Sequence, residues 1–221
     1  MDNPKLIITG DGSHSIFNEK LNEHYHSDKG AIAESIHVFI ENGLMQISKT
    51  DINIFEIGFG TGLNTLLTYK YAIENNLNIN YFSIEKFPVS IALAKQLNYP
   101  VLLQTEKELF VRLHESDWNT TVKISGNFYL TKFQADLSTF DFNLFSEIDL
   151  VYFDAFSPSK QPEMWTTDIF KKIYSKMQEN GLLTTYSSAG LVKNALREAG
   201  FTVKRKPGAH GKFHMLNAFK Q

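Results

Sequence analysis

A glycine-rich loop is the first segment of this sequence whose residue types could do chemistry. Gly58, Gly60 and Gly62 occupy alternate positions between an apolar run, Ile52–Ile57, and a helical pattern that begins at Leu63. Glycines let a backbone approach a ligand closely and adopt positive φ, and a helix start offers free N–H donors. The G-x-G-x-G spacing differs from the G-x-G-x-x-G of dinucleotide sites. The loop therefore predicts another kind of ligand site, or a tight turn without a ligand.

Three acidic residues lie near the ends of successive predicted strands. Glu56 comes just before the loop, as expected where a cationic amino-acid ligand is bound. Glu85 ends the next strand, 23 residues after Gly62, and can accept both hydroxyls of a ribose. Asp136 follows the third core strand and could receive an adenine amino group. Because open α/β sheets bind ligands at these strand ends, the acids together predict a site for S-adenosylmethionine. The alternatives are a surface acid beside Lys86 for Glu85, and a helix N-cap for Asp136.

The elements that must position these residues alternate between strands and helices. Strands are predicted at Ile52–Ile57, Ile79–Glu85, Lys132–Ala135, Ile148–Phe153 and Leu182–Tyr186, and helices at Leu63–Asn75, Val89–Leu97, Asp168–Met177 and Leu191–Ala199. Such alternation indicates parallel βαβ units. The last two strands, Phe201–Lys206 and Phe213–Phe219, are joined by too few residues for a parallel crossover and must be antiparallel. The sequence predicts an α/β fold of the Rossmann-like class I methyltransferase type, with a mostly parallel seven-stranded sheet and a C-terminal antiparallel hairpin.

Two regions lie outside this alternation. Residues 1–50 are predicted to form an extension packed on the core, and residues 51–221 the methyltransferase core itself, with an insertion near residues 100–130. The extension is predicted to hold a hairpin of Leu6–Thr9 and Ser15–Phe17 and a helix from Ala31 to about Asn42, and the insertion a hairpin of Thr121–Ile124 and Phe128–Leu130.

The segment after the fourth core strand carries a resemblance to a known family. Asp154, Phe156 and Pro158 form an acid–aromatic–proline series, followed by a Met-Trp pair. The sequence resembles the methyltransferase domain of the MnmC-type tRNA 5-methylaminomethyl-2-thiouridine biosynthesis proteins. The similar motifs span nearly the whole chain: Asp11–His14, Gly58–Asn64, Glu85–Pro88, Asp154–Pro158, Pro162–Trp165, Ser188–Gly190, Ala199–Phe201 and Lys212–Leu216. Ala155 and Ser157 depart from the pattern, which has glycine and alanine there.

The resemblance implies S-adenosylmethionine-dependent methylation of the 5-aminomethyl group of the wobble uridine of tRNA. It makes Asp154 the catalytic acid/base. The residues assigned to the cofactor are Glu56, Gly58, Gly60, Gly62, Asn64, Glu85 and Asp136. An alkylammonium with a pKa of about 10 is mostly protonated at pH 7, so a carboxylate at the methyl end can orient the amine and take its proton. Phe156 and Trp165 could stack on the base, with Pro158 as a wall. Alternatively, both aromatics belong to the core and Asp154 caps a turn.

Positive charge for a tRNA ligand is concentrated near the C-terminus, although the whole chain carries a net charge of −2. The basic stripe consists of Lys193, Arg197, Lys204, Arg205, Lys206 and Lys212, against the single acid Glu198. Such a stripe can contact phosphates, and its members Lys204, Arg205, Lys206 and Lys212 are the predicted substrate contacts. A solvated edge strand guarded by lysines is the alternative.

The composition of the 221-residue chain excludes several classes of protein. Its 22 basic and 24 acidic residues exclude a globally basic nucleic-acid binder. The absence of cysteine excludes a disulfide scaffold, a Cys-ligated zinc site and thiol catalysis. No segment reaches the ~20 apolar residues of a membrane span and no signal peptide is present, so a cytoplasmic protein without membrane contact is expected. His14, His24 and His26 lack a convincing acid or further ligand, so no metal is expected.

Proteins of the resembled family are often fused to an FAD-dependent oxidase that prepares the amine. This sequence has no second glycine fingerprint, so the expectation is a stand-alone methyltransferase, with a separate FAD-dependent oxidase as a candidate partner. Two other functions remain open. One is S-adenosylmethionine-dependent methylation of a small-molecule or protein amine. The other is an inactive methyltransferase-like module that binds RNA.

Overall fold

The structure is a computed structural model that describes residues 5–145, 147–209 and 213–221. Its strands are β1 (Lys5–Ile8), β2 (His14–Asn18), β3 (Glu23–His24), β4 (Asp51–Ile57), β5 (Asn78–Glu85), β6 (Thr121–Ser125), β7 (Phe128–Gln134), β8 (Ile148–Phe153), β9 (Met177–Thr185), β10 (Thr202–Pro207) and β11 (His214–Phe219). Its α-helices are α1 (Ala31–Ser35), α2 (Leu63–Glu74), α3 (Ile91–Ala94), α4 (Tyr99–Leu102), α5 (Lys107–Glu115), α6 (Thr167–Lys176) and α7 (Gly190–Glu198).

The central sheet has eight strands within the described ranges, in the order β10-β11-β9-β8-β4-β5-β7-β6. The five inner strands β9, β8, β4, β5 and β7 pair in parallel. The C-terminal strands β10 and β11 form an antiparallel hairpin, and β11 pairs antiparallel with β9. The predicted fold class is therefore confirmed: a mostly parallel α/β sheet that ends in an antiparallel hairpin.

The sheet differs from the prediction at the edge beyond β5. The segments Phe128–Leu130 and Lys132–Ala135, predicted as two strands, belong to one strand, β7, which runs parallel to β5 from Ile79↔Phe128 to Glu85↔Gln134. The predicted hairpin is present, but its second strand is this core strand, and β6 adds antiparallel to it. The sheet therefore gains an eighth strand, because a hairpin partner of a core strand extends the same hydrogen-bonded ladder.

Alternating side chains of the strands enter two hydrophobic layers, one on each face of the sheet. Along β4, Ile52 and Ile54 pack in one cluster with Leu63 and Leu66 of α2. The next residue, Phe55, packs in the other cluster, with residues from α6 and α7. Because successive strand residues point to opposite faces, this alternation also determines which face of the sheet each polar side chain of β4 lies on.

Helix α6 begins with the capping residues that favour a helix start. In α6 the side chain of Thr166 accepts a hydrogen bond from the Ile169 amide, and Asp168 lies in the first turn, where an acid complements the helix dipole. Helix α3 is shorter than the predicted Val89–Leu97. Within the described residues no helix is long and apolar enough to cross a membrane.

The N-terminal residues form a separate small sheet of three strands, β1-β2-β3, followed by α1 and a π-helix, Ile36–Glu41. The predicted hairpin and helix are thus present. Asp11 ties them together. Its carboxylate accepts hydrogen bonds from Thr9 and Ser13 at the hairpin turn and from the Ala33 amide in the first turn of α1.

Candidate active site

A cavity of about 1130 Å³ opens at the carboxyl ends of β4, β5, β7 and β8. The loops after these strands form its floor, and residues 18–28 of the N-terminal region form the opposite wall. A parallel sheet places its ligand sites at this edge. The volume lies above the ~300–1000 Å³ typical of a pocket for one small ligand, so the cavity has room for a cofactor and an acceptor group together.

The glycine loop lies at the end of β4 in a conformation that requires glycine. Gly58 and Gly60 line the cavity with φ of 93° and 50°, and a Cβ on Gly58 would lie 2.8 Å from the Asp154 carbonyl oxygen. Gly62 has φ of 73° and precedes α2, where a Cβ would lie 2.8 Å from Nε2 of His114. Gly62 does not line the cavity, so its smallness serves the packing of the loop on α5.

Glu85 stands at the end of β5 with its carboxylate against the glycine loop. Oε2 accepts a hydrogen bond from the Gly60 amide at 3.1 Å, and Oε1 accepts one from the Phe87 amide at 2.7 Å. Burial raises the pKa of Glu85, while these backbone donors act in the opposite direction. Each carboxylate oxygen has a second lone pair, so Glu85 can still accept hydroxyl groups from a ligand.

Asp136 lies on the cavity wall after β7. Lys86 donates to its Oδ2 at 2.7 Å, and the amide and hydroxyl of Ser138 donate to Oδ1 at 2.9 and 2.7 Å. These hydrogen bonds, with that from Lys86 the largest cause, lower the pKa of Asp136 to about 2. Asp136 thus lies at the cavity, as the cofactor prediction requires, and also makes the turn-capping hydrogen bonds expected of the alternative, an N-cap.

Asp154 follows β8 directly and lines the cavity. Its amide donates to the Ile57 carbonyl at 3.0 Å, which continues the β4–β8 ladder by one residue. The side-chain amide of Asn64 donates to its Oδ2 at 2.8 Å. The structure therefore brings the predicted catalytic acid, the glycine loop and Glu85 to one cavity.

Glu56 does not reach this cavity, contrary to the prediction that it contacts the cofactor. Its side chain is fully buried on the α2 face of the sheet, where Ser83 and Thr65 donate to Oε2 at 2.6 and 3.3 Å. Burial raises its pKa to about 8. Along β4 the side chain of Glu56 alternates with those of Phe55 and Ile57, so it enters the same core layer as Ile52 and Ile54.

The predicted aromatic wall is divided between cavity and core. Phe156 lines the cavity, edge-on to Tyr25 with ring centroids 4.9 Å apart. Trp165 is 2% exposed and lies outside the cavity lining. Its Nε1 donates to the Phe156 carbonyl at 2.8 Å, and its ring packs on Phe153. Trp165 therefore supports the loop from behind rather than stacking on a base, and Pro158 likewise does not line the cavity.

The basic residues of β10 lie away from the cavity, at the outer edge of the sheet. Lys204, Arg205 and Lys206 belong to β10, the edge strand. Because successive strand residues alternate, Arg205 points to the face opposite Lys204 and Lys206, so the three charges do not form one surface. The Lys204 ammonium lies 5.1 Å from the centroid of the Phe219 ring. Lys212, the fourth predicted contact, lies outside the described residues.

Glu23 and Tyr25 of the N-terminal region and Tyr186 are among the cavity-lining residues that the sequence analysis does not predict. Glu23 accepts a hydrogen bond from the Ser157 amide at 3.2 Å, and the Tyr186 hydroxyl donates to the Ala155 carbonyl at 2.8 Å. Tyr186 follows β9 directly, so the strand-end rule that singled out the acids could have found it. No comparable sequence signal points to Glu23 or Tyr25, because their approach depends on how the small sheet packs.

Comparisons with known proteins agree with this geometry. Residues 93–221 match a protein family described as S-adenosyl-L-methionine-dependent methyltransferase. A tRNA 5-methylaminomethyl-2-thiouridine biosynthesis bifunctional protein MnmC from Leptospira borgpetersenii is 30% identical over 210 residues, covering 90% of this chain and 32% of its own length. The protein of that name from Methylobacillus flagellatus is 33% identical over 204 residues, covering 87% and 32%. The chain thus spans about a third of the length of the curated relatives it matches.

Solved structures show the same fold. MNMC2 from Aquifex aeolicus superposes with a TM-score of 0.78 at 26% identity, over 99% of this chain and 70% of that one. Spermidine synthase from Thermotoga maritima, at 14% identity, superposes with a TM-score of 0.54 over 99% of this chain and 71% of that one.

Proposed function

We propose, on the premise that this chain belongs to the S-adenosyl-L-methionine-dependent methyltransferase family, that it methylates the amine of the 5-aminomethyl group on the wobble uridine of tRNA. One observation carries the proposal. Asp154 stands at the carboxyl end of β8 in the same cavity as the glycine loop and Glu85, where a carboxylate can meet an amine beside a bound cofactor.

The residues at the floor of the cavity fit S-adenosylmethionine. Gly58 and Gly60 present backbone without side chains at the cavity wall, and this part of the site would hold the methionine moiety. Glu85 would accept the ribose hydroxyls, and Asp136 would lie at the adenine end. When bound, the cofactor supplies an electrophilic methyl group.

The task of the protein at the acceptor is to present a neutral amine. At pH 7 an alkylammonium of pKa about 10 needs about 4 kcal/mol to lose its proton. A carboxylate lowers this barrier by orienting the ammonium and by accepting its proton as the nitrogen lone pair engages. Asp154 would do this, and Phe156 and Tyr25, which form an edge-on aromatic pair at the cavity, would flank the pyrimidine.

Two observations support a tRNA substrate: the name of the relatives, and the basic residues of β10 and α7. Phosphate contacts by such residues supply sequence-independent affinity. A tRNA substrate would place the protein in the cytoplasm. It also requires an oxidative step that prepares the amine, for which an FAD-dependent oxidase, joined or separate, would be the partner.

The test is to incubate the protein with labelled S-adenosylmethionine and tRNA from cells that lack this activity, and then to analyse the nucleosides. Label in a methylaminomethyl uridine at the wobble position is the expected result. Asp154→Asn should incorporate label about 10²–10⁴ times more slowly under the same conditions. Label confined to a protein or small amine, with none in the tRNA, would overturn the proposal.

A further inference from the structure

A chain of polar contacts connects Asp154 to the interior of the sheet. Asn64, in the first turn of α2, is 3% exposed, and its Nδ2 donates to Oδ2 of Asp154 at 2.8 Å. The Asn64 side chain also lies beside Glu56, close enough to influence its pKa, and Glu56 is fully buried in β4. The amide of Asn64 thus stands between two carboxyl groups, one facing the cavity and one in the core.

The protonation of the inner carboxyl follows from its surroundings. Ser83 and Thr65 donate hydrogen bonds to Oε2 of Glu56, and the neutral side chains of Asn64 and Tyr81 lie beside it, so no cation among these groups balances a charge. Its Oε1 and the Oδ1 of Asn64 are both buried oxygens without a donor. A carboxyl proton on Glu56 would supply a donor for the unpartnered Oδ1 of Asn64, whereas a carboxylate would be a buried, unbalanced charge. The raised pKa of Glu56, about 8, agrees.

We propose that Asn64 is a positioning residue for Asp154, and that Glu56 holds Asn64 in place as a neutral carboxylic acid. This proposal rests on the proposed function in one respect, which is that Asp154 acts on the amine that accepts the methyl group. The sequence predicts both residues as cofactor contacts. Asn64 lines the cavity, so for Asn64 that prediction stands beside the role proposed here, whereas Glu56 lies outside the cavity lining.

Two consequences follow for Asp154. A donor that bonds the charged form of a carboxylate lowers its pKa, so Asn64 keeps Asp154 ionised and able to take a proton. The same hydrogen bond restricts the rotamer of Asp154. Asn64 is itself held in place, because Leu63 and Leu66 of the same helix, α2, are packed in the core. A proton-accepting group aimed in this way costs no reorientation when the amine arrives.

The test compares carboxyl titrations by NMR in protein labelled with ¹³C at the aspartate carboxyl carbons. The signal of Asp154 is identified by its absence in Asp154→Asn. Asn64→Leu should raise the pKa of Asp154 by about 1 to 2, because a hydrogen bond to a charged group is lost. Asn64→Ala, which adds no bulk, should raise it in the same direction and serves if the leucine variant fails to fold.

Asn217→Leu is the matched control. Asn217 is another fully buried amide with one bonded nitrogen, donating to the Asn42 carbonyl at 2.9 Å, and one oxygen without a donor. It lies on β11 and outside the cavity lining. Asn217→Leu should destabilise the fold to a similar extent and leave the titration of Asp154 unchanged.

Variants of Glu56 test the inner half of the chain. Glu56→Gln keeps an uncharged group that both donates and accepts, so the pKa of Asp154 should stay close to that of the wild type. Glu56→Leu removes both abilities and should shift the titration in the same direction as Asn64→Leu. In methylation assays the acidic limb of the kcat–pH profile should move with the titration, while the affinity for S-adenosylmethionine stays within about threefold.

An unchanged titration in Asn64→Leu or Asn64→Ala would overturn the positioning role. Equal shifts in Glu56→Gln and Glu56→Leu would overturn the neutral acid. The titrations need neither tRNA nor cofactor, so a protein that fails to methylate tRNA would contradict the proposed function and leave this measurement standing on its own.

Discussion

Near the cavity, three carboxyl groups bind their protons with different strength because their neighbours differ. Asp136 has an ammonium partner, Lys86, and a pKa lowered to about 2. Glu85 is half-buried and accepts hydrogen bonds from backbone amides, and desolvation raises its pKa. Glu56 is surrounded by hydroxyls and an amide, and its pKa is raised to about 8. Carboxyl groups therefore supply both a fixed anion at the cavity, Asp136, and a neutral acid in the core, Glu56.

The first prediction concerns Asp154→Asn. This change keeps the shape of the side chain but removes its charge and basicity. We expect turnover to fall by about 10²–10⁴, with cofactor affinity nearly unchanged, because Glu85 and the glycine loop remain. Activity should be partly recovered at high pH, where the amine loses its proton unaided. Steady-state kinetics and calorimetry measure both, and Asp168→Asn, on the exposed start of α6, is the control. Normal turnover at pH 7 would assign Asp154 to the turn alone.

The second prediction concerns the dependence of stability on pH. The folded-state pKa of Glu56, about 8, lies above its ordinary value of 4.5. The stabilisation is therefore fully present below pH 4.5 and is lost as pH rises from 4.5 to 8. Relative to Glu56→Gln, the wild type should lose unfolding free energy over this window, by up to about 1.4 kcal/mol per pH unit. Urea denaturation at several pH values measures it, and parallel curves for the two proteins would contradict it.

The third prediction concerns Gly60→Val. Gly60 has φ of 50°, its amide donates to Glu85, and an added Cβ would lie 3.2 Å from the Tyr25 ring. A β-branched side chain disfavours this conformation, so the loop and Glu85 should move apart and cofactor binding should be abolished in a folded protein. Gly126→Val, where an added Cβ meets nothing within 4 Å, is the control. Unchanged affinity by calorimetry would remove the loop from the site.

At the level of elements, the N-terminal hairpin and α1 act as one unit that carries a wall of the cavity. The carboxylate of Asp11 joins the hairpin turn to α1, and His14 is joined to the segment before α4 by hydrogen bonds to Asn98 and Gln96. The wall itself bonds to the loop after β8 through Glu23 and Ser157. This explains structurally why residues 11–14 form a motif although they do not line the cavity.

The fourth prediction concerns Asp11→Ala. The loss of bonds to Thr9, Ser13 and the Ala33 amide should lower the free energy of unfolding by roughly 1–3 kcal/mol. Cofactor affinity should also fall, because residues 18–28 lose the unit that holds them over the glycine loop. Denaturation and calorimetry measure the two effects. Lys29→Ala, an exposed change in the same region, should alter neither, and a destabilised variant with full cofactor affinity would show that the wall is positioned independently.

For the whole molecule, the distribution of charge decides how a large anion would bind. The chain is nearly neutral overall, and the cavity wall carries acids such as Glu23 and Asp136. The basic residues of β10 lie at the far edge of the sheet. In the proposed function, phosphates of the tRNA would therefore be bound at that edge, at a distance from the cavity, while the acids favour the cationic aminomethyl group inside it.

The fifth prediction concerns Lys204, Arg205 and Lys206, replaced together by glutamine. Affinity for tRNA should fall, and the slope of log affinity against log salt should become shallower by about 2 rather than 3, because Arg205 faces away from the two lysines. Cofactor affinity should not change. A charge-matched control replaces the exposed Lys107, Lys171 and Lys172 of α5 and α6. Binding and salt slope equal to the wild type would identify β10 as a solvated edge.

Much of the fold could be predicted from the order of residues. Strand patterns and turn residues are local signals, and the parallel topology and C-terminal hairpin follow from connection lengths. The strand-end rule also located Gly58, Glu85 and Asp154 at one cavity, because parallel strands end at one edge. Where local signals were ambiguous, as in the break predicted within β7, pairing along the whole of β5 made the strand continuous.

The side-chain arrangement of the site depends on the folded chain, since it is determined by contacts between residues distant in sequence. Asn64 and Asp154 are separated by 90 positions, and the side-chain direction of Glu56 depends on which face of β4 meets α2. From the sequence, Trp165 fits either a stacking role or a core position, and packing against Phe153 places it in the core behind Phe156. Composition and spacing state which groups a chain possesses, but a carboxyl becomes an anion or a neutral acid only when the fold has chosen its neighbours.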